Sequence, residues 1–408
     1  MINLQKCNFN YLHNEPNLND IENFIIQLIN KYNVHLKKLH LLNEENLLSY
    51  NKNEYIKLIK AHKDIIIEII NDVIGFFPQL SQIPNIVFIH GSFAKTLNRI
   101  NSDIDLNILY PNQFKNEILP IEEIISVILQ KVVGYSGRDK IHTMMIYTYN
   151  NISKDNLEST QDCHITFPDK QIYKYKCRPN YDEVMYKIKY SSRDYKDFSN
   201  YISNNINSSK CEEWCYSYET ISTNCEEYDL YKMLNDIDKF NIQPTDNDNY
   251  QNLIMNFKNK INKYNFDIKH ETTISDINHN WKVSNLGFIY KTLSIMRRYL
   301  FMSGTLVNGL DFFEVFSNQE LTKLFSNKEV MEIENNIFKY IWQLSRVEHV
   351  FSTNQINFSS RNFDKFEYSM ICKTYNDLYN EDLEYIQNKA TNELHKSLNK
   401  VLTRIQRR

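Results

Sequence analysis

The amino-acid sequence predicts an α+β fold, in which a small mixed β-sheet is flanked by helices and followed by a C-terminal α-helical bundle. Three observations predict it. Helical spacing opens the chain, short β-branched runs cluster in its middle, and helical spacing dominates again after about residue 180. We expect three domains along the chain, spanning residues 1–80, 81–245 and 246–408.

The first domain is expected to be a helical layer. Residues 17–49 carry apolar side chains three and four positions apart, and a second helix is predicted from Asn53 to Phe77. Pro78 and Pro84 interrupt this periodicity. The helical layer is therefore predicted to end where the sheet begins.

The middle of the chain contains the predicted strands. The run from Asn85 to His90 is apolar and β-branched, and Ser102 to Tyr110 alternates acidic and apolar side chains. A helix is predicted between the second and third strands, at residues 119–133. The remaining strands are predicted at residues 141–149, 162–167 and 171–178.

The last part of the chain is predicted to be helical. Residues 281–303, 327–350 and 379–407 show the spacing of helices with one apolar face. An Asn- and Asp-rich segment at residues 241–252 separates them from the sheet region. These helices form the predicted C-terminal bundle.

Charge and composition limit the class of protein. Of the 408 residues, 42% are hydrophobic and 24% are charged, a balance typical of globular domains. The formal net charge of −3 gives no global positive field. Duplex nucleic acid is therefore not an expected partner.

Sequence features also bear on location. No run of about 18 apolar residues occurs, so no membrane span is expected. The first residues lack the pattern of a secretory signal, and the seven scattered cysteines are expected to be reduced thiols. A cytoplasmic location is expected, while export into a host cytosol by other signals stays open.

One constellation points to metal chemistry. Asp103 and Asp105 are two positions apart on a predicted strand, so their carboxylates are expected on one face. Gly91 and Ser92 follow the preceding strand directly and suit a tight turn whose backbone N–H groups face phosphate. Carboxylates converging beside such a turn are what two divalent cations, about 4 Å apart, require.

This arrangement resembles the signature of the DNA polymerase β-like nucleotidyltransferase superfamily. Eleven residues separate the glycine from the Asp-x-Asp pair, which lies in the sequence SDIDL. This spacing and sequence are most similar to those of glutamine synthetase adenylyltransferases and Rab-adenylylating bacterial effectors. The segment YKYKCRP and the later Glu212, Glu213 and Trp214 resemble further motifs of those enzymes. The resemblance implies two Mg²⁺ ions, with Mn²⁺ as an alternative, and ATP as substrate.

The resemblance also implies individual roles. Ser92 is expected to contact the β- and γ-phosphates, and Ser102 is included among the nucleotide-binding residues as the first residue of SDIDL. Lys95 and Arg99 lie between the turn and the two aspartates, where cations neutralise triphosphate charge, although each is also typical of a surface side chain.

One position departs from the family pattern. Lys174 stands where those adenylyltransferases carry a third aspartate, and a lysine neither binds Mg²⁺ nor accepts a proton from a hydroxyl. Asp162, at the start of a neighbouring predicted strand, is the expected substitute, although it also suits a turn. Asp169 is the weaker alternative because Pro168 and Asp169 indicate a turn.

The resulting hypothesis is an enzyme that moves AMP from ATP onto a hydroxyl of a protein acceptor. A small-molecule acceptor, an RNA 3′ end and a catalytically degenerate binding module stay open as alternatives. Zinc at Cys211 and Cys215 is not favoured, because no second pair of ligands with zinc spacing follows them.

Overall fold

The computed structural model describes only part of the chain. The described residues are 18–83, 85–89, 91–102, 104–109, several within 121–133, 145–147, 161–166, 172–177, 219–223, 279–303, 305, 311–354 and 365–407. The structure is mostly helical, with small sheets and a C-terminal helical region, which is consistent with the predicted α+β class.

The chain divides into two compact units, and each is discontinuous in sequence. The first comprises residues 1–41, 60–98 and 102–237, and the second comprises residues 42–59, 99–101 and 238–408. The predicted domain ranges 1–80, 81–245 and 246–408 divide the chain by sequence pattern alone and stay a prediction.

Two long helices follow the predicted N-terminal pattern. Helix α1 spans Leu18–Leu48 and helix α2 spans Lys52–Gly75. The short helix α3 occupies Pro78–Gln82, and the one-turn helix α4 occupies Gly91–Ala94. In the first unit, the apolar face of α1 packs with that of α2 in one buried core. Exposed Lys31 and buried Tyr32 both donate to Asp72, at 2.7 and 2.8 Å.

The central sheet has four strands in the order β3-β2-β1-β6. Strand β1 (Ile86–Ile89) pairs antiparallel with β2 (Leu106–Leu109) and with β6 (Glu219–Thr223), and β2 pairs parallel with β3 (Met145–Tyr147). The sheet is therefore mixed, as predicted. Its apolar side chains, among them Val87, Ile89, Leu106 and Ile108, are fully buried.

A separate two-stranded sheet pairs β4 (Gln161–Thr166) with β5 (Ile172–Cys177) in antiparallel register. Both strands lie where the sequence predicts them. The turn expected at Pro168 and Asp169 lies outside the described residues.

Two predicted elements need correction. The strand predicted from Ser102 begins only at Leu106, because its pairing ends opposite Ile89, the last residue of β1. Residues 219–223 fall in a region predicted to be mostly helical, but they form β6 against β1. The segment ETIST is short and polar, so its strand depends on pairing with a distant buried strand rather than on its own pattern.

The second unit is built from helices. Helix α5 spans His279–Met302, and the short helices α6 and α7 span Phe312–Phe316 and Gln319–Thr322. The longer helices that come after them are α8 (Asn327–Thr353), α9 (Lys365–Tyr379) and α10 (Leu383–Gln406).

Local signals set the ends of these helices. Ser326 and Glu329 form a reciprocal capping box at the start of α8. The helix predicted from residue 379 begins at Leu383 instead, because Asn380 has a positive φ of 51° and Asp382 caps α10. Among the described residues, no helix is both long and apolar enough to cross a membrane.

Candidate functional site

The turn after β1 is built around a glycine. Gly91 has a φ of 66°, in the left-handed region that favours glycine, and it begins the one-turn helix α4 (Gly91–Ala94). A Cβ atom added to Gly91 would lie 3.0 Å from Cγ of Asp105 and closer still to its Oδ2. The carboxylate of Asp105 therefore lies directly against the backbone of this turn.

The position of Asp105 follows from the sheet register. Asp105 immediately precedes Leu106, which pairs with Ile89, and Gly91 lies two residues beyond Ile89. Asp105 is neither buried nor fully exposed, whereas its neighbours Ile104 and Leu106 are completely buried. These apolar neighbours anchor the segment in the core and fix where the carboxylate stands.

The turn itself is closed by hydrogen bonds. The Leu97 N–H donates to Ser92 O at 2.9 Å, and Lys95 Nζ donates to Gly91 O at 3.1 Å. Ser92, Lys95 and Ser102 are all buried, with Ser102 at 0% exposure. Lys95 thus brings a positive charge to the turn from within the fold rather than from the surface.

Arg99 has a different environment from the one expected of a nucleotide ligand. It belongs to the second unit, where its Nε and Nη2 atoms donate to the two carboxylate oxygens of Glu348 at 2.8 and 2.9 Å. Both side chains are buried, and Lys282 lies 3.1 Å from the same carboxylate. In this structure the guanidinium is held by that carboxylate, and the nucleotide-binding role of Arg99 stays a prediction.

Several predicted site residues lie outside the described part of the structure. Asp103 is one of them, and so is Asp169, the weaker alternative to Asp162. Cys211 and Cys215, where zinc is not favoured, also lie outside it. The backbone of Asp162 is described in β4, opposite Lys176, and the backbone of Lys174 is opposite His164. The predicted catalytic roles of Asp103 and Asp162 therefore remain predictions.

Sequence reasoning missed two residues beside the turn. Lys63 of α2 donates to the hydroxyl of Thr96 at 2.9 Å and forms an ion pair with Glu219 of β6. These partners are far apart in sequence, because Glu219 lies 156 positions after Lys63. An isolated lysine in an amphipathic helix carries no local signal that could have identified this cluster.

The family comparison covers the same part of the chain. Residues 70–163 match the family model of the nucleotidyltransferase domain. This range contains Gly91, Ser92, Asp103, Asp105 and Asp162. The match supports a general nucleotidyltransferase activity, and domains of this kind generally use a nucleoside triphosphate and a divalent metal. A comparison with curated proteins finds no match to this chain.

One residue at the turn carries a ligand of the kind that a divalent cation takes. Hard cations such as Mg²⁺ take oxygen ligands, and Asp105 presents a carboxylate where the missing Cβ of Gly91 leaves room for it. Within the described ranges, no group of three or more His, Cys, Asp or Glu residues is arranged to hold a metal. Asp105 is therefore one candidate ligand, and Asp103 and Asp162 are proposed as further ones.

Proposed function

We propose that this protein is a Mg²⁺-dependent adenylyltransferase that moves AMP from ATP onto a hydroxyl group of a protein acceptor. The observation that carries the proposal is the position of the Asp105 carboxylate against Gly91. It combines an acidic metal ligand and a tight glycine turn, as nucleotidyl transfer needs. The nucleotidyltransferase-domain match over residues 70–163 supports the same reaction class.

The proposed site divides the work among a few groups. Backbone N–H groups of the Gly91–Ser92 turn and the Ser92 hydroxyl bind the β- and γ-phosphates, with Lys95 and Ser102 supporting the turn. Asp103 and Asp105 hold the metal ions, and Asp162 completes the set and accepts the proton of the acceptor hydroxyl. When bound, ions held by these carboxylates would supply positive charge beside the phosphates.

The proposed reaction is a displacement at the α-phosphorus of ATP. The acceptor oxygen forms a bond to the α-phosphorus of ATP while the bond from that phosphorus to the bridging oxygen breaks. Pyrophosphate leaves, and AMP remains attached to the acceptor through a phosphoester. Holding the triphosphate in a fixed turn contributes by orienting the α-phosphorus toward the incoming oxygen.

The proposed acceptor is a hydroxyl group of a protein. A protein hydroxyl is favoured because the spacing from Gly91 to Asp103 resembles that of protein adenylyltransferases. A small molecule or an RNA 3′ end uses the same chemistry, and the net charge of −3 disfavours long RNA. Lys174 stands where the family pattern has a third aspartate, and it favours the alternative of a binding module without catalytic activity.

Radiolabel transfer tests the proposal. Purified protein is incubated with ATP labelled at the α-phosphate, Mg²⁺ and a cell lysate, and label is followed separately in protein, RNA and small-molecule fractions. We expect a labelled protein band. Label in another fraction changes the acceptor, and absence of label from every fraction contradicts the enzymatic proposal.

A matched pair of variants sharpens the result. Asp105→Asn removes the proposed metal ligand at nearly constant size, whereas Asp377→Asn makes the same change at an exposed position in α9. We expect transfer to fall at least about 100-fold in the first variant, as for loss of a metal ligand or its support. The second variant should transfer as the wild type does.

A further inference from the structure

Two residues with left-handed backbone conformation lie at and just after the proposed phosphate turn. Gly91 has a φ of 66° and Thr96 a φ of 53°, and among the described residues other than glycine only Asn380 shares this feature. Glycine adopts the conformation freely, but a β-branched residue such as threonine is strained there. Strain of this kind persists only where surrounding contacts hold the residue in place.

Those contacts come from helix α2. Lys63 Nζ donates to Thr96 Oγ1 at 2.9 Å, and the lysine is 8% exposed. Its neighbour His62 shares a 3.3 Å hydrogen bond with the Asn98 side chain and packs its ring 5.4 Å from that of Phe93. Consecutive residues of α2 therefore contact Phe93 and the segment that follows it. That segment is joined to the turn by backbone hydrogen bonds from Thr96 N–H to Phe93 O at 3.0 Å and from Leu97 N–H to Ser92 O at 2.9 Å.

The lysine is in turn held by the sheet. Glu219 forms an ion pair with Lys63, and Glu219 is the first residue of β6, paired with Ile89 at the end of β1. A buried ammonium is costly unless it is paired and hydrogen-bonded, so the carboxylate permits Lys63 to reach Thr96. The arrangement links β6, α2 and the turn within one unit.

We propose that Lys63 is a positioning residue for nucleotide binding, which holds the Thr96 hydroxyl and thereby fixes the Gly91–Ser92 turn. The inference rests on the function proposed above and adds a determinant of triphosphate affinity to it. Lys63 acts through Thr96 and touches no reacting atom. Glu219 pairs with the ammonium group and aims it at Thr96.

Substitutions at Thr96 separate this role from simple support of the fold. Thr96→Ser keeps the hydroxyl, and Thr96→Gly removes it while adopting the positive φ without strain. We expect the serine variant to keep the wild-type KM for ATP. The glycine variant should remain folded and show a KM raised about tenfold, the loss expected for a hydrogen bond to a charged group.

Changes at the lysine provide an independent measurement. Lys63→Met removes the ammonium partner of Glu219, and the double variant Lys63→Met with Glu219→Gln also removes the negative charge of that carboxylate. We expect the double variant to regain thermal stability but to keep the raised KM. The kcat should change less than about threefold in each case, because the carboxylates that carry the chemistry are untouched.

The outcomes are distinct. If wild-type protein transfers label but Thr96→Gly and the double variant keep its KM for ATP, Lys63 is only a structural residue and the inference is wrong. If the KM for ATP is raised in Lys63→Met but returns to the wild-type value in the double variant together with thermal stability, Lys63 is again only a structural residue. If the wild type neither transfers label nor binds ATP, the proposed function fails first and the inference fails with it.

Discussion

The guanidinium of Arg99 and the carboxylate of Glu348 form a bidentate ion pair in the interior of the helical unit. Two hydrogen bonds of 2.8 and 2.9 Å join them, and Lys282 approaches the same carboxylate at 3.1 Å. The Arg99 side chain is 2% exposed and that of Glu348 is 7% exposed. A short segment that comes after the proposed phosphate turn in sequence is thus held by a buried charge pair.

Glu348→Gln should destabilise the protein strongly. The substitution keeps the shape but leaves the charges of Arg99 and Lys282 without their carboxylate, and breaking a buried pair costs about 3–5 kcal/mol. The midpoint of urea unfolding, followed by circular dichroism, measures the effect. Glu320→Gln is the matched control, because Glu320 pairs with Lys323 on the surface and such pairs contribute at most about 1 kcal/mol. Equal shifts in the two variants contradict the prediction.

The same pair predicts a pH dependence. Burial by itself raises the pKa of Glu348, but the charges and hydrogen bonds of Arg99 and Lys282 outweigh it and lower the pKa below its ordinary 4.5. A lowered folded-state pKa means that the stabilisation is complete above the unfolded-state value and is lost as pH falls through the folded-state value. Unfolding midpoints measured between pH 7 and strong acid should therefore converge for wild type and Glu348→Gln at the acid end.

Gly91→Ala should disrupt both the fold and the proposed activity. The added methyl group meets the Asp105 carboxylate, and alanine is strained at a φ of 66°. The free energy of unfolding should fall by more than about 1 kcal/mol. Adding Asp105→Ala to this variant should recover the part of the loss caused by the contact, whereas the part caused by backbone strain should remain. Full recovery is the result that contradicts the backbone argument.

The sequence predicted those elements whose pattern is local. The apolar runs at Ile86–Ile89 and Leu106–Leu109 are strands because their side chains fill the core, and periodicity alone identifies α1 and α2. The sequence pattern could not identify strand β6, because the polar segment ETIST lacks an apolar strand pattern of its own. Its hydrogen bonding to β1 stabilises the strand instead. Tertiary pairing outweighs local propensity at this strand.

The candidate site shows the same division. The proximity of Gly91 to Asp105 follows from a strand, a turn and a returning strand close together in sequence, and it was expected from the motif. The partner of Arg99 could not be expected, because Glu348 lies 249 positions away. The sequence around an arginine between two motifs does not show whether its side chain binds a ligand or pairs with a buried carboxylate.

The third carboxylate can be identified by substitution. If Asp162 completes the proposed metal set, Asp162→Asn should reduce label transfer at least about 100-fold, as expected for a metal ligand. Asp169→Asn and Lys174→Met should leave transfer unchanged. Loss of transfer in Asp169→Asn but not in Asp162→Asn assigns the role to the turn residue instead.

Metal removal gives a further prediction for the proposed activity. Chelation by EDTA should abolish label transfer, and added Mg²⁺ or Mn²⁺ should restore it because both ions accept carboxylate oxygen ligands. Ca²⁺ should restore less, since its longer bonds and variable geometry fit a phosphoryl-transfer site poorly. Transfer that persists at full rate in excess EDTA contradicts the metal-dependent mechanism.

The interleaved course of the chain constrains how this protein is made. Residues 42–59 belong to the helical unit, and there the Tyr55 hydroxyl shares a 2.7 Å hydrogen bond with Ser345, 290 positions later. During synthesis, this early segment emerges long before the later helices of its unit are made. Apolar side chains that are buried in the folded protein, such as Leu58, stay exposed during that time. A truncated chain that lacks the later helices would therefore leave these apolar side chains in water and be prone to aggregate.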